Sequence, residues 1–165
     1  MTDGTSSDGT SDSDARVTFL NRILSGTVNS MIQYTAVSVP FVAPGCEPFV
    51  ERMDKMRNEE IAQTNVLSQL INRFRGVPST EAFPYWNIDL NYLDIRFMAR
   101  FGAEHQERVI AEIEAGLAGI KSDPVAYTKV LGMLEEKRAH LLELRDIGKL
   151  PEPEPEPAPP SAAED

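Results

Sequence analysis

Two polar residues stand where a helix should bury apolar ones. Over residues 53–74, spacing by three and four gives Met53, Met56, Glu60, Gln63, Leu67, Leu70 and Phe74, five of them core residues. Glu60 and Gln63, three apart, share one helix face. A carboxylate aimed at a core demands a counter-charge or a metal ion, so this spacing implies interior metal chemistry or an internal ion pair. His105 shares a stripe with Met98, Val109 and Ile113 and reads as a satisfied core or interface histidine. His140 stands four residues after Glu136 and is a legitimate ligand type, but its neighbours Lys137 and Glu143 make that face read as solvated.

Charge placement narrows the partners. The chain of 165 residues has a formal charge of −10 and 41% hydrophobic residues, enough for one sizeable core. Residues 1–14 hold four acids and residues 151–165 hold five, with no Lys or Arg in either. The remaining 17 acids face 16 bases, so the middle is close to neutral. No basic excess is available for nucleic acid. Cys46 is alone, which excludes an intramolecular disulfide and fits a reducing cytoplasm. The most apolar run, residues 28–43, contains Asn29, Ser30, Gln33 and Pro40, too polar and short for a membrane span.

The elements that must position Glu60 and Gln63 are helices. Periodicity predicts four, over residues 15–39, 48–75, 88–121 and 125–147, and no strand. Ser13 or Asp14 caps the first and Asn87 the third, which has room for a break near Gly102. Residues 28–39 are rich in β-branched side chains, yet Val17, Leu20, Leu24, Thr27, Met31 and Tyr34 hold one stripe. The tails, 1–14 and 150–165, read as disordered and acidic, the second an extended Pro–Glu spacer able to dock a protein partner. Loop lengths carry the topology. The second and third helices are joined by "GVPSTEAFPYWN", long enough to cross the bundle and leave those helices parallel, with Phe83, Tyr85 and Trp86 covering its flank. An all-α, antiparallel four-helix bundle with one long central crossover is the ferritin-like arrangement.

The residues extend that resemblance. "LNRILSGTVNSMIQY" (20–34) resembles the first helix of bacterioferritins through Leu20, Asn21, Leu24, Gln33 and Tyr34. The resemblance implies a di-iron site built from a Glu on each of two helices and Glu-x-x-His on each of the others. The first Glu falls on Thr27, and Glu60 follows at an interval of 33 with Gln63 at its histidine. The acid that fits the third helix is Glu104; "LEEKRAHLLEL" offers Glu135, with Arg138 at the last histidine. Read among Leu131, Leu134, Leu141 and Leu142, Arg138 points inward, where a guanidinium repels a dication and pairs with Glu60 and Glu135. The reading is therefore a ferritin-like protein whose di-metal centre is lost, without cofactor, acting as a binding or assembly protein. The alternative is a di-iron or manganese oxidase or ferroxidase with an altered ligand set, drawing on Glu60, Gln63, Glu104, His105, Glu135 and Glu107. Tyr92, Phe97, Met98 and Phe101 exceed what one core needs, implying a homodimer or larger homo-oligomer. Met53 and Met56 read as core fillers rather than haem ligands.

Overall fold

In the computed structural model, residues 8–36, 38, 40–80 and 93–150 are described. They form α1 (Asp8–Val28), α2 (Met31–Tyr34), α3 (Glu47–Arg73), α4 (Ile95–Gly116), a 3-10 turn (Leu117–Ile120) and α5 (Pro124–Gly148). No strand occurs among the described residues. α1 packs on α3 and α4, and α5 packs on the same two helices from the opposite corner. Side-chain contacts fix the directions. Ser13 Oγ donates to the Phe74 carbonyl at 3.0 Å and Ser30 reaches Glu60, so α1 and α3 are antiparallel. Arg52 meets Asp146 while Arg73 meets Asp123, each at 3.0 Å, so α3 and α5 are antiparallel. Phe19 abuts Gly116 and Gly26 abuts Val109, which sets α4 antiparallel to α1 and hence parallel to α3. The chain must therefore cross the bundle between α3 and α4, as its loop lengths predict.

Asn21 anchors the start of that crossover. Its amide nitrogen donates to the Val77 carbonyl at 3.1 Å and its oxygen accepts from the Ser79 amide at 2.8 Å. The other end is pinned by a parallel bridge, in which the Phe41 amide donates to Leu93 O at 2.8 Å and Ile95 N to Phe41 O at 3.1 Å. Asp94 caps α4 by accepting from Arg96 N at 2.8 Å. Replacing Asn21 with alanine removes two exposed hydrogen bonds and is expected to lower stability by roughly 0.5–1.5 kcal/mol. The urea midpoint should fall while helical content in water stays unchanged.

Several helix ends differ from the sequence expectation. α1 starts at Asp8 rather than 15, and Ser13 lies inside it, tethered to α3 rather than acting as a cap. It stops at Val28, where Ser30 takes an extended backbone (φ −72°, ψ 153°) and its Oγ caps α2 by accepting from Gln33 N at 3.1 Å. The local side-chain bonds of Asn29 and Ser30 win over helical continuation there. α4 runs unbroken through Gly102, which faces Leu144 and Met31. The predicted cap Asn87, the aromatics Phe83, Tyr85, Trp86 and Tyr92, and residues 1–7 and 151–165 of the tails lie outside the described residues. Met98 is fully buried with Met31 and Tyr34 and Phe101 packs beside it, so among the described members of that set only Phe97 is substantially exposed.

The core is split along the bundle axis. One apolar cluster gathers Leu20, Ile23, Leu67, Ile71, Ile113 and Val130. The other gathers Ile32, Met53, Met56, Ala99, Leu144 and Ile147. Between them every long helix contributes buried polar residues.

Candidate functional site

The dividing layer contains Thr27, Ser30, Glu60, Gln63, Gln106, Lys137 and His140, all at most 3% exposed. All but Ser30, which caps α2, follow from the apolar phase of their helices. On α3 the buried stripe is Met53, Met56, Glu60, Gln63, Leu67, Leu70. On α5 it is Ala126, Val130, Met133, Lys137, His140, Leu144, Ile147, and on α4 it passes through Gln106.

Glu60 is the hub. Its Oε1 accepts from Lys137 Nζ at 2.7 Å, with the two side chains 0% and 1% exposed. Its Oε2 accepts from Ser30 Oγ at 2.5 Å and from Gln33 Nε2 at 3.4 Å. The break between α1 and α2 thus has a use, since it turns the Ser30 hydroxyl toward the carboxylate. Gln106 Nε2 donates to the Lys137 carbonyl at 3.4 Å. Nearer the surface, Gln63 Nε2 donates to Glu136 at 2.8 Å and His140 Nε2 lies 2.7 Å from Glu59 Oε2. These rungs border a groove of about 240 Å³ between α3 and α5, lined by Arg52, Lys55, Met56, Glu59, Glu136, Ala139, His140 and Glu143. Thr27 Oγ1, Gln63 Oε1 and His140 Nδ1 are buried with no hydrogen-bond partner among the described residues.

The predicted site residues divide sharply. Thr27, Glu60 and Gln63 are brought together in this layer. Glu104 is exposed. Arg138 points outward, against expectation: it is half exposed and bridges Glu135 and Glu114 at 2.7 Å each, with Glu135 also exposed. Hydrogen bonding to Glu114 raises the Arg138 pKa further. The interior cation is its neighbour Lys137. His140, expected on a solvated face, is buried because it lies one turn beyond Lys137 on the same stripe. Glu107 is a surface residue paired with Arg145 at 2.6 Å. Ser30, Gln106 and Lys137 were not among the predicted residues. An unbroken three-four stripe from Ala126 to Ile147 is the signal that finds Lys137.

His105 is mostly buried, with Nε2 2.7 Å from the Gly26 carbonyl. A carbonyl only accepts, so Nε2 carries the proton. Desolvation pushes its pKa below the ordinary value, opposed by the Gly26 bond and aided by Arg108. The unfolded chain therefore takes up this proton at a higher pH than the fold does. The resulting stability is present above about pH 6.5 and is lost as pH falls through the folded value. Urea denaturation between about pH 7 and pH 5 should show a slope that weakens in His105→Gln.

Among the described residues no three His, Cys, Asp or Glu side chains converge to hold a metal ion. At the hub one carboxylate faces an ammonium, which has no lone pair while protonated. The residues do not fit a dinuclear metal centre.

A four-helix bundle divided by a buried polar layer defines the class, and the comparisons fix the family. The sequence matches the ferritin-like domain family over residues 17–151, and the chain belongs to that family. Its fold is similar to a solved structure of a ferritin-like, diiron-carboxylate protein from Bacillus anthracis str. Ames, at 17% identity and a TM-score of 0.69. The likeness covers 84% of this chain and 98% of that one. Comparison with curated proteins gives no match. Among the described residues no helix is long and apolar enough to cross a membrane.

Proposed function

We propose that this chain is a ferritin-like bundle that carries out no metal-dependent oxidation and serves as a binding or assembly protein. The observation that supports the reading is the ion pair between Lys137 Nζ and Glu60 Oε1, 2.7 Å apart and closed from solvent. A fixed ammonium there repels a dication and occupies the carboxylate oxygen that a metal would need. The buried pair ties α3 to α5, with Ser30 adding the α1–α2 junction, a registry use of buried charge that leaves outer surfaces and tails to make contacts. A cytoplasmic homo-oligomer that reaches a protein partner through the C-terminal tail completes the proposal.

The test is metal content and iron oxidation. Protein purified without added metal should contain iron and manganese well below one ion per chain. Fe(II) mixed with the protein in air should oxidise at the rate seen in buffer alone. A bound metal pair with protein-dependent oxidation would replace this reading with an oxidase or ferroxidase using an altered ligand set.

A further inference from the structure

We infer that the polar layer is a cradle for one primary ammonium ion, a role that Lys137 fills from within the chain. The inference rests on the reading above. Its first support is charge. The hub supplies one full negative charge, on Glu60, and the other layer oxygens are neutral: the Thr27 hydroxyl, the Ser30 hydroxyl and the Gln63 amide. One negative charge balances a monovalent cation, whereas a dication would leave an uncompensated charge in a dry interior. The layer's histidine bonds through Nε2 to Glu59 rather than to Glu60.

The second support is hydrogen bonding. A primary ammonium carries three N–H donors and no acceptor. One donor is matched at 2.7 Å by Glu60 Oε1. Two further buried oxygens of the layer, Thr27 Oγ1 and Gln63 Oε1, have no partner among the described residues, Lys137 Nζ included, and so are open to an ammonium that is not tethered to α5. The third support is that the cradle does not depend on Lys137 for its shape. Ser30 Oγ and Gln33 Nε2 both hold Glu60 Oε2, and Gln33 is itself anchored to the Arg57 carbonyl at 3.1 Å. Shortening residue 137 therefore removes the cation and leaves its receptor. Ethylammonium, one carbon shorter than the three-carbon arm that Lys137→Ala removes, leaves room for van der Waals contact with the remaining methyl and is the ligand that receptor fits.

The experiment is chemical rescue of Lys137→Ala, with thermal unfolding followed in ethylammonium, tetramethylammonium, sodium or manganese chloride at matched ionic strength. The variant is expected to melt lower than the parent. Ethylammonium should restore about half or more of the lost melting temperature and saturate with concentration, as binding to the folded state alone requires. Tetramethylammonium, which has no N–H, and sodium should give no such shift, and the Glu60→Gln/Lys137→Ala double variant should not be rescued. Where Lys137→Ala does not fold unaided, refolding in ethylammonium should raise the folded yield above that in tetramethylammonium. Equal effects of the two ammonium salts, or a larger stabilisation by manganese, overturn the inference. Metal found in the unaltered protein would instead strike the proposed function, so the two failures are distinguishable.

Discussion

Replacing Lys137 with methionine is expected to destabilise the fold by about 3–5 kcal/mol, the cost of leaving a buried charge without its partner. Methionine preserves most of the side-chain volume, so the loss reports on electrostatics rather than on a cavity. The stranded group is Glu60, whose environment is closed to water. Ser30 and Gln33 still donate to it, but two neutral donors do not replace a full counter-charge. The adjacent Arg138→Met is the internal control. Its guanidinium is half exposed and bonded to two exposed carboxylates, so the change should leave the urea midpoint close to the parent's. Adding Glu60→Leu to Lys137→Met should recover most of the loss, because removing both charges costs far less than removing one. Urea denaturation of the parent, Lys137→Met, Glu60→Leu and the double variant closes the cycle that measures the coupling. If Lys137→Met were as stable as Arg138→Met, the internal pair could not be what fills the layer.

The pair also shows which part of this molecule was legible in the sequence. Helix number, order and the crossover followed from period and loop length, because both depend on burial along the whole chain. On α3, Glu60 and Gln63 were legible for the same reason, being polar letters inside an otherwise clean stripe. On α5 the leucines misled. Leu131, Leu141 and Leu142 suggest a face holding Arg138, but Leu142 is 67% exposed and the true face carries Lys137 and His140 between Met133 and Leu144. Abundant apolar residues on a helix touching two neighbours widen its apolar arc, so counting leucines finds the arc and not its centre. The contribution of Ser30 was illegible for another reason. It depends on a helix break set by local side-chain bonds, which overrode a continuous period in α1 and α2.

Changing Lys137 to glutamate should convert this bundle from metal-indifferent to metal-dependent. The substitution removes a positive charge from the layer and adds a negative one, so the hub passes from neutral to a formal charge of about −2. Two carboxylates facing each other in a closed interior cannot both ionise cheaply. Without metal the variant should therefore be strongly destabilised, by an amount comparable with the loss in Lys137→Met. It should also gain stability on acidification, as one of the two carboxyls takes up a proton. A divalent ion relieves the same repulsion. Residues 137–140 then read Glu-x-x-His beside Glu60, which approaches the donor pattern of metal-binding bundles of this fold. Manganese at about a hundred times its dissociation constant should add about 2.7 kcal/mol, a shift that a chelator reverses. The unaltered protein should show no such response under the same conditions. A Lys137→Glu variant whose melting temperature ignores both manganese and chelator would mean that the layer lacks the remaining donors. The distance of this layer from a metal-binding one would then exceed one residue, spread over Thr27, Gln63 and Gln106 as well.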